Sequence, residues 1–106
     1  MDDDSQRMLP PAFVALYIEP GRVRPSLSRA DMLERHELCE DLAQMLCEPA
    51  QTQLWSLGIT ESDVLGKIRE GLPQTGLSLT DGEMDWVCGR LAELLGWLDN
   101  AGRAPR

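Results

Sequence analysis

The chain has 106 residues, of which 42% are hydrophobic, and it carries 10 Lys and Arg against 18 Asp and Glu, a formal net charge of −8. This length fits one domain that can bury a core without disulfides or a metal, and the hydrophobic fraction is too high for a disordered acidic tail. The acidic balance argues against non-specific binding to DNA, RNA or an anionic membrane surface, and it favours a soluble protein whose partner, if charged, is basic.

The cysteines and the N-terminal residues indicate the compartment. Cys39, Cys47 and Cys88 are odd in number and form no CxxC pair, which is untypical of a secreted disulfide framework. The start "MDDDSQR" is acidic, whereas the n-region of a signal peptide is positively charged. No stretch approaches the roughly 18 apolar residues of a membrane span. We therefore expect a cytoplasmic protein with reduced, buried thiols.

The first 27 residues are expected to form a polar start and an apolar arm. Residues 1–7 are polar, which predicts disorder. Residues 8–27 begin with "MLPPAFVALYIEPGRVRP", where prolines stand at both ends and disfavour a regular helix. Alternation along "VALYI" suits a strand-like path, so the sequence predicts an extended arm. The arm can pack across its own bundle, cross to a second copy, or dock as a peptide on another protein.

Three hydroxyl residues stand three positions before a carboxylate and predict three helix starts. These pairs are Ser28 and Asp31, Thr60 and Asp63, and Thr80 and Glu83. The hydroxyl accepts an orphan backbone N–H, the acid favours the positive end of the helix, and only the third pair is a strict capping box. Apolar residues of helical period follow each start. The sequence predicts an all-α bundle of three to four helices over residues 28–101 and a disordered tail over residues 102–106.

The first predicted helix begins near Arg29 and separates an apolar stripe from an acidic face. The stripe runs at spacings of three and four through Leu38, Leu42, Met45 and Leu46. The acidic residues, which should face solvent, are Glu34, Glu37, Asp41 and Glu48.

Pro49 and Gly58 raise the question of where this helix ends. A proline inside a helix costs roughly 3 kcal/mol, so either one long helix kinks at Pro49 or two helices meet there. We favour the break. Gly58 suits a left-handed position just past the helix, and we expect Ile59 to fold back on Leu54 in a Schellman ending.

The last predicted helix carries a second aromatic face. It runs to "DNAG", and its apolar stripe leaves out Trp86 and Trp97, which lie eleven residues apart with Arg90 between them. Eleven residues are about three helical turns, so both rings are expected on one side. Such a face is either covered by the protein's own chain or presents a binding patch, and Trp and Arg are typical of interface hot spots.

No motif for chemistry is complete in the sequence. "GITESDVLGKI" places Gly66 before Lys67, but it lacks the earlier glycine and the Ser or Thr that a phosphate loop requires. His36, Cys39 and Glu40 can share a helix face, but they supply too few ligands for a zinc site. We predict no cofactor, no metal and no enzymatic activity.

Three segments resemble a known group of proteins. The arm "LPPAFVALYIEPGRVRPS", followed by "RHELCEDLAQML" and "LGITESDVLGKI", resembles small bacterial proteins of no established function, and the resemblance covers most of the chain. Some members carry a label suggesting an ATPase with chaperone activity, which implies at most a link to protein quality control. The sequence lacks a phosphate loop and is too short for an ATPase domain, so the resemblance implies no catalytic residue.

The leading hypothesis is a non-enzymatic protein–protein interaction module, a homodimer or an adaptor, that uses the arm and the Trp-bearing helix face. The expected contact residues are Phe13, Tyr17, Trp86, Arg90 and Trp97. One alternative is an acidic regulator that occupies the nucleic-acid-binding site of a basic protein. A second alternative is a small enzyme or thiol-based sensor that uses Cys39 or Cys47 with His36.

Overall fold

The computed structural model describes residues 9–97. Its elements are the helices α1 (Pro11–Ala15), α2 (Arg29–Leu57), α3 (Glu61–Gly71) and α4 (Asp81–Leu95), with a short 3-10 helix (Leu72–Thr75) after α3. The described residues contain no strand, and the predicted all-α bundle with an N-terminal segment is confirmed. The predictions of disorder for residues 1–7 and 102–106 lie outside the described residues.

The chain divides into two compact units, and the boundary between Leu38 and Cys39 lies inside α2. The first unit contains α1 and the start of α2, and the second contains the rest of α2 with α3 and α4. The predicted division into an arm over residues 8–27 and a helical domain over residues 28–101 stays a prediction.

The N-terminal segment is helical where an extended path was expected, so that expectation is wrong over Pro11–Ala15. The amides of Phe13 and Val14 both donate to the Pro10 carbonyl, at 2.9 and 3.1 Å. Proline is tolerated in the first turn because the amide it lacks would have no partner there. The turn also brings Phe13 and Tyr17 together, with ring centroids 5.4 Å apart, and both side chains are buried.

The three predicted helix starts are confirmed, and each hydroxyl accepts a backbone amide. Ser28 Oγ accepts from the Asp31 amide at 3.1 Å, and Thr60 Oγ1 accepts from the Asp63 amide at 3.0 Å. At the start of α4 the Glu83 amide donates to Thr80 Oγ1 at 3.0 Å, and the Thr80 amide donates to Glu83 Oε1 at 2.9 Å. This reciprocal pair is the predicted capping box.

Removal of the Thr80 hydroxyl tests the capping box. We expect Thr80→Ala to lower the free energy of unfolding by about 1 kcal/mol, because the Glu83 amide then loses its acceptor at the helix start. Thr80→Ser keeps an acceptor oxygen and is expected to retain most of the stability. Urea unfolding followed by circular dichroism measures both variants, and equal midpoints for Thr80→Ala and the unmodified protein would contradict the prediction.

Pro49 lies inside one continuous α2, so the favoured break is wrong. A proline at this position cannot donate to the carbonyl four residues earlier, which belongs to Met45. Met45 and Pro49 are both exposed, so water can bind the carbonyl that Pro49 leaves without a helical donor. Ala50 is fully buried one residue later and joins the next turn to the core.

Glycines with positive φ end α2 and α4. Gly58 has φ of 62° and is left-handed as predicted, and its amide donates to the Leu54 carbonyl at 3.2 Å. That single bond is the simpler αL ending, so the expected Schellman ending of α2 is wrong. α4 instead ends in the Schellman pattern, because the amides of Gly96 and Trp97 donate to the carbonyls of Glu93 and Ala92.

The core of the second unit follows the predicted apolar stripes. α3 packs on α4, and the fully buried side chains include Val64 of α3 with Val87 and Leu91 of α4. Met45 is the exception, since it was placed on the apolar stripe and its side chain is 70% exposed. Exposed apolar surface on the second unit therefore lies on α2.

Candidate functional site

The structure buries most of the aromatic residues predicted to contact a partner. Phe13, Tyr17 and Trp97 are buried, and Trp86 is half-buried. Because α4 ends at Leu95 and Gly96 turns the backbone with φ of 74°, Trp97 does not continue the helix. The expected helix face that carries Trp86 and Trp97 together is therefore wrong.

Arg90, the remaining predicted contact, is engaged within the second unit. Its Nε and Nη2 donate to the two carboxylate oxygens of Glu40 at 2.8 and 3.0 Å, and its Nη1 donates to Glu93 at 3.0 Å. Gln44 donates to the same Glu40 carboxylate at 2.9 Å. The hydrogen bonds that Arg90 donates to Glu40, and next the one that it donates to Glu93, raise the pKa of Arg90 above its ordinary value. This guanidinium joins α2 to α4.

The three cysteines are free thiols and differ in burial. Cys39 is buried, and the Cys47 thiol lies 3.5 Å from the Ala43 carbonyl. Burial raises the pKa of the Cys88 thiol to about 11, and the nearby Arg69 opposes this shift less strongly. His36, the proposed base of a thiol site, packs edge-to-face on Phe13 with ring centroids 5.1 Å apart.

Alkylation kinetics test the environment of Cys88. Because the pKa of Cys88 is about 11, its thiolate fraction at pH 8 is about 100-fold smaller than that of a thiol with the ordinary pKa near 9. We expect iodoacetamide to label Cys88 about 100-fold more slowly in the folded protein than in urea, as followed by peptide mass spectrometry. Labelling of Cys88 at equal rates in the two states would contradict the burial.

The described residues offer neither a metal cluster nor a helix that could span a membrane. Within residues 9–97, no group of three or more His, Cys, Asp and Glu side chains is placed to share a metal ion. None of the helices in that range is long and apolar enough to cross a bilayer.

The strongest exposed feature is one face of α2, which we call the Trp55 face. Its five residues follow one another at spacings of three and four and are Asp41, Met45, Glu48, Thr52 and Trp55. All five are exposed, and the Trp55 side chain is 85% exposed. An open groove beside Trp55 is lined by Glu48, Gln51, Thr52, Trp55 and Ser56. Ser56 donates to the Thr52 carbonyl at 2.7 Å, so its hydroxyl is engaged with the helix itself.

The Trp55 face is acidic as well as aromatic. Asp41 and Glu48 are exposed and lie seven residues, about two helical turns, apart. The sequence has no lysine or arginine between Arg35 and Lys67. A partner on this face therefore meets negative charge beside an exposed indole ring.

The sequence pattern did not single out Trp55, because Met45, which lies on the same side of the helix, was assigned to the apolar stripe. A signal was present in the heptad spacing of Asp41, Glu48 and Trp55, which places the tryptophan on the acidic face.

Comparisons with known proteins add no relative. No protein-family model matches the chain, and neither curated proteins nor solved structures give a match. The resemblance to small bacterial proteins therefore stays a prediction.

Proposed function

We propose that the chain is a non-enzymatic protein–protein interaction module of the cytoplasm and that it binds its partner through the Trp55 face. The observation that supports this is the exposure of Trp55, at 85% of its side chain. A large aromatic ring is rarely left in water, and tryptophan is enriched among the residues that dominate binding energy at interfaces. Full burial of such a ring contributes on the order of 4 kcal/mol before the costs of association.

Met45 extends the apolar contact along α2. Its side chain is 70% exposed and lies ten residues, about 15 Å, before Trp55 on the same helix face. Methionine adapts its shape to a partner because its side chain is unbranched and flexible. The two side chains give a partner two apolar anchors, as a helix-binding face requires.

This proposal changes the contact residues expected from the sequence. Phe13, Tyr17 and Trp97 are buried and contribute to the fold, and Arg90 holds α2 to α4. Trp86 is half-buried and stays a candidate contact in addition to the residues of the Trp55 face. If a second copy of the chain binds this face, the protein is a homodimer. If a different protein binds it, the protein is an adaptor.

Variants of two exposed apolar residues test the proposal. We expect Trp55→Ser to abolish recovery of the partner in affinity capture from the native host, because the ring is the largest exposed contact. Val23→Ser is the matched control, since Val23 is 89% exposed and lies in the first unit. Light scattering on a size-exclusion column, applied to each variant, tests whether the partner is a second copy. Equal recovery and equal mass for Trp55→Ser and the unmodified protein would contradict the proposal.

A further inference from the structure

We propose that the occupant of the Trp55 face is a cationic amphipathic helix of another protein. The inference rests on the proposed function and names the chemistry of its partner. Its first support is the charge of the face, where Asp41 and Glu48 are exposed and neither makes an ion pair within residues 9–97. Lysine or arginine side chains two turns apart on a partner helix match these two carboxylates.

The spacing of the face supports a helical partner. Residues that recur at three and four along α2 form a straight ridge, and such a ridge packs into the groove of another helix. From Asp41 to Trp55 the face is about 21 Å long, which a partner of about 14 helical residues covers. Met45 and Trp55 then contact the apolar residues of that helix.

Exposed tryptophan beside a carboxylate favours arginine in particular. A guanidinium can stack on an indole face and donate to a neighbouring carboxylate at the same time. Trp55 and Glu48 line one groove, so a single arginine of the partner can reach both. The groove therefore offers two kinds of contact to one cation.

Charge also disfavours the other occupants. Two copies joined by a two-fold axis through the centre of this face would bring Glu48 against its own equivalent, and each chain carries a net charge of −8. Nucleic acid would meet the same negative charge with its phosphates.

The probe is a pair of synthetic helices about 14 residues long. Both carry leucine at every third and fourth position, and one carries arginine at the flanking positions where the other carries glutamate. The readout is the tryptophan emission of the full chain, from which the emission of Trp55→Phe is subtracted to isolate Trp55. We expect the arginine peptide to shift this difference emission to shorter wavelength, and we expect its affinity to fall as salt rises.

Two charge-matched variants locate the binding. We expect Glu48→Lys to weaken binding of the arginine peptide at least 10-fold, whereas Glu70→Lys, an equal charge change on exposed α3 surface, weakens it by less than 3-fold. Trp55→Ser is expected to weaken binding at least 10-fold as well, measured by titration calorimetry. Equal effects of Glu48→Lys and Glu70→Lys would mean general charge attraction and would overturn the inference.

Other outcomes separate this inference from the proposed function. Equal binding of the glutamate peptide overturns the cationic partner and leaves the Trp55 face as an interaction surface. A concentration-dependent shift of the Trp55 emission without peptide identifies a second copy as the occupant and also overturns it. If neither peptide binds, the inference of a cationic helix is also overturned. Affinity capture with Trp55→Ser then decides the proposed function independently.

Discussion

Replacement of Phe13 with alanine is expected to lower the free energy of unfolding by about 3–5 kcal/mol. The Phe13 side chain has no exposed surface, and its ring makes edge-to-face contacts with Tyr17 at 5.4 Å and His36 at 5.1 Å. Truncation removes these contacts and leaves a cavity, because a segment fixed by prolines and by the start of α2 collapses only partly. Phe13 is thus expected to act on stability and not on binding alone.

Urea unfolding followed by circular dichroism measures the loss, with Leu16→Ala as the control in the same segment. Leu16 is 37% exposed, so its truncation should lower stability by less than about 1.5 kcal/mol. The midpoint should not depend on protein concentration, because the single chain itself buries Phe13. A midpoint that rises with concentration would instead indicate an arm that crosses to a second copy. An unchanged midpoint for Phe13→Ala would contradict the burial.

Features set by a few neighbouring residues could be predicted from the sequence. The helix starts at Ser28, Thr60 and Thr80 depend on a hydroxyl and an amide three residues apart, so the pattern contains all the atoms involved. The same holds for Gly58, whose left-handed backbone needs only the absence of a side chain.

Features decided by distant packing could not be predicted in this way. α2 continues through Pro49 although a proline inside a helix costs about 3 kcal/mol. Burial of residues on both sides of the proline offsets this local cost. Gly96 stops α4 although apolar residues continue the helical period beyond it. A five-residue helix such as α1 is too short to show a period at all.

The candidate site is also a feature that distant packing decides. The spacing of Asp41, Glu48 and Trp55 defines a face, but exposure depends on whether another element covers that side of α2. Because tryptophan and methionine are usually buried, the sequence predicted Met45 in the core. The structure leaves that side of α2 exposed at Met45 and Trp55, and this converts an ordinary acidic helix face into a candidate binding surface.

Arg90→Ala is expected to lower the free energy of unfolding by about 2 kcal/mol, the second largest effect on stability. Removal of the guanidinium takes away both hydrogen bonds to the Glu40 carboxylate, which is only 23% exposed. Breaking a fully buried ion pair lowers the free energy of unfolding more than this, and breaking an exposed pair lowers it less. Arg90 is 33% exposed, so the expected loss lies between these two cases.

A matched pair of controls separates the fold from the partner surface. Arg69→Ala removes an ion pair to Asp85 at 2.8 Å, but that carboxylate is 73% exposed, so a smaller loss is expected. The double variant Glu40→Leu with Arg90→Leu should recover stability relative to Arg90→Ala, since no half-buried charge is left without its partner. Chemical unfolding of the three variants measures these differences. If Arg90→Ala left stability unchanged but abolished partner capture, Arg90 would be the contact residue that the sequence first suggested, and the ion pair with Glu40 would have no structural role.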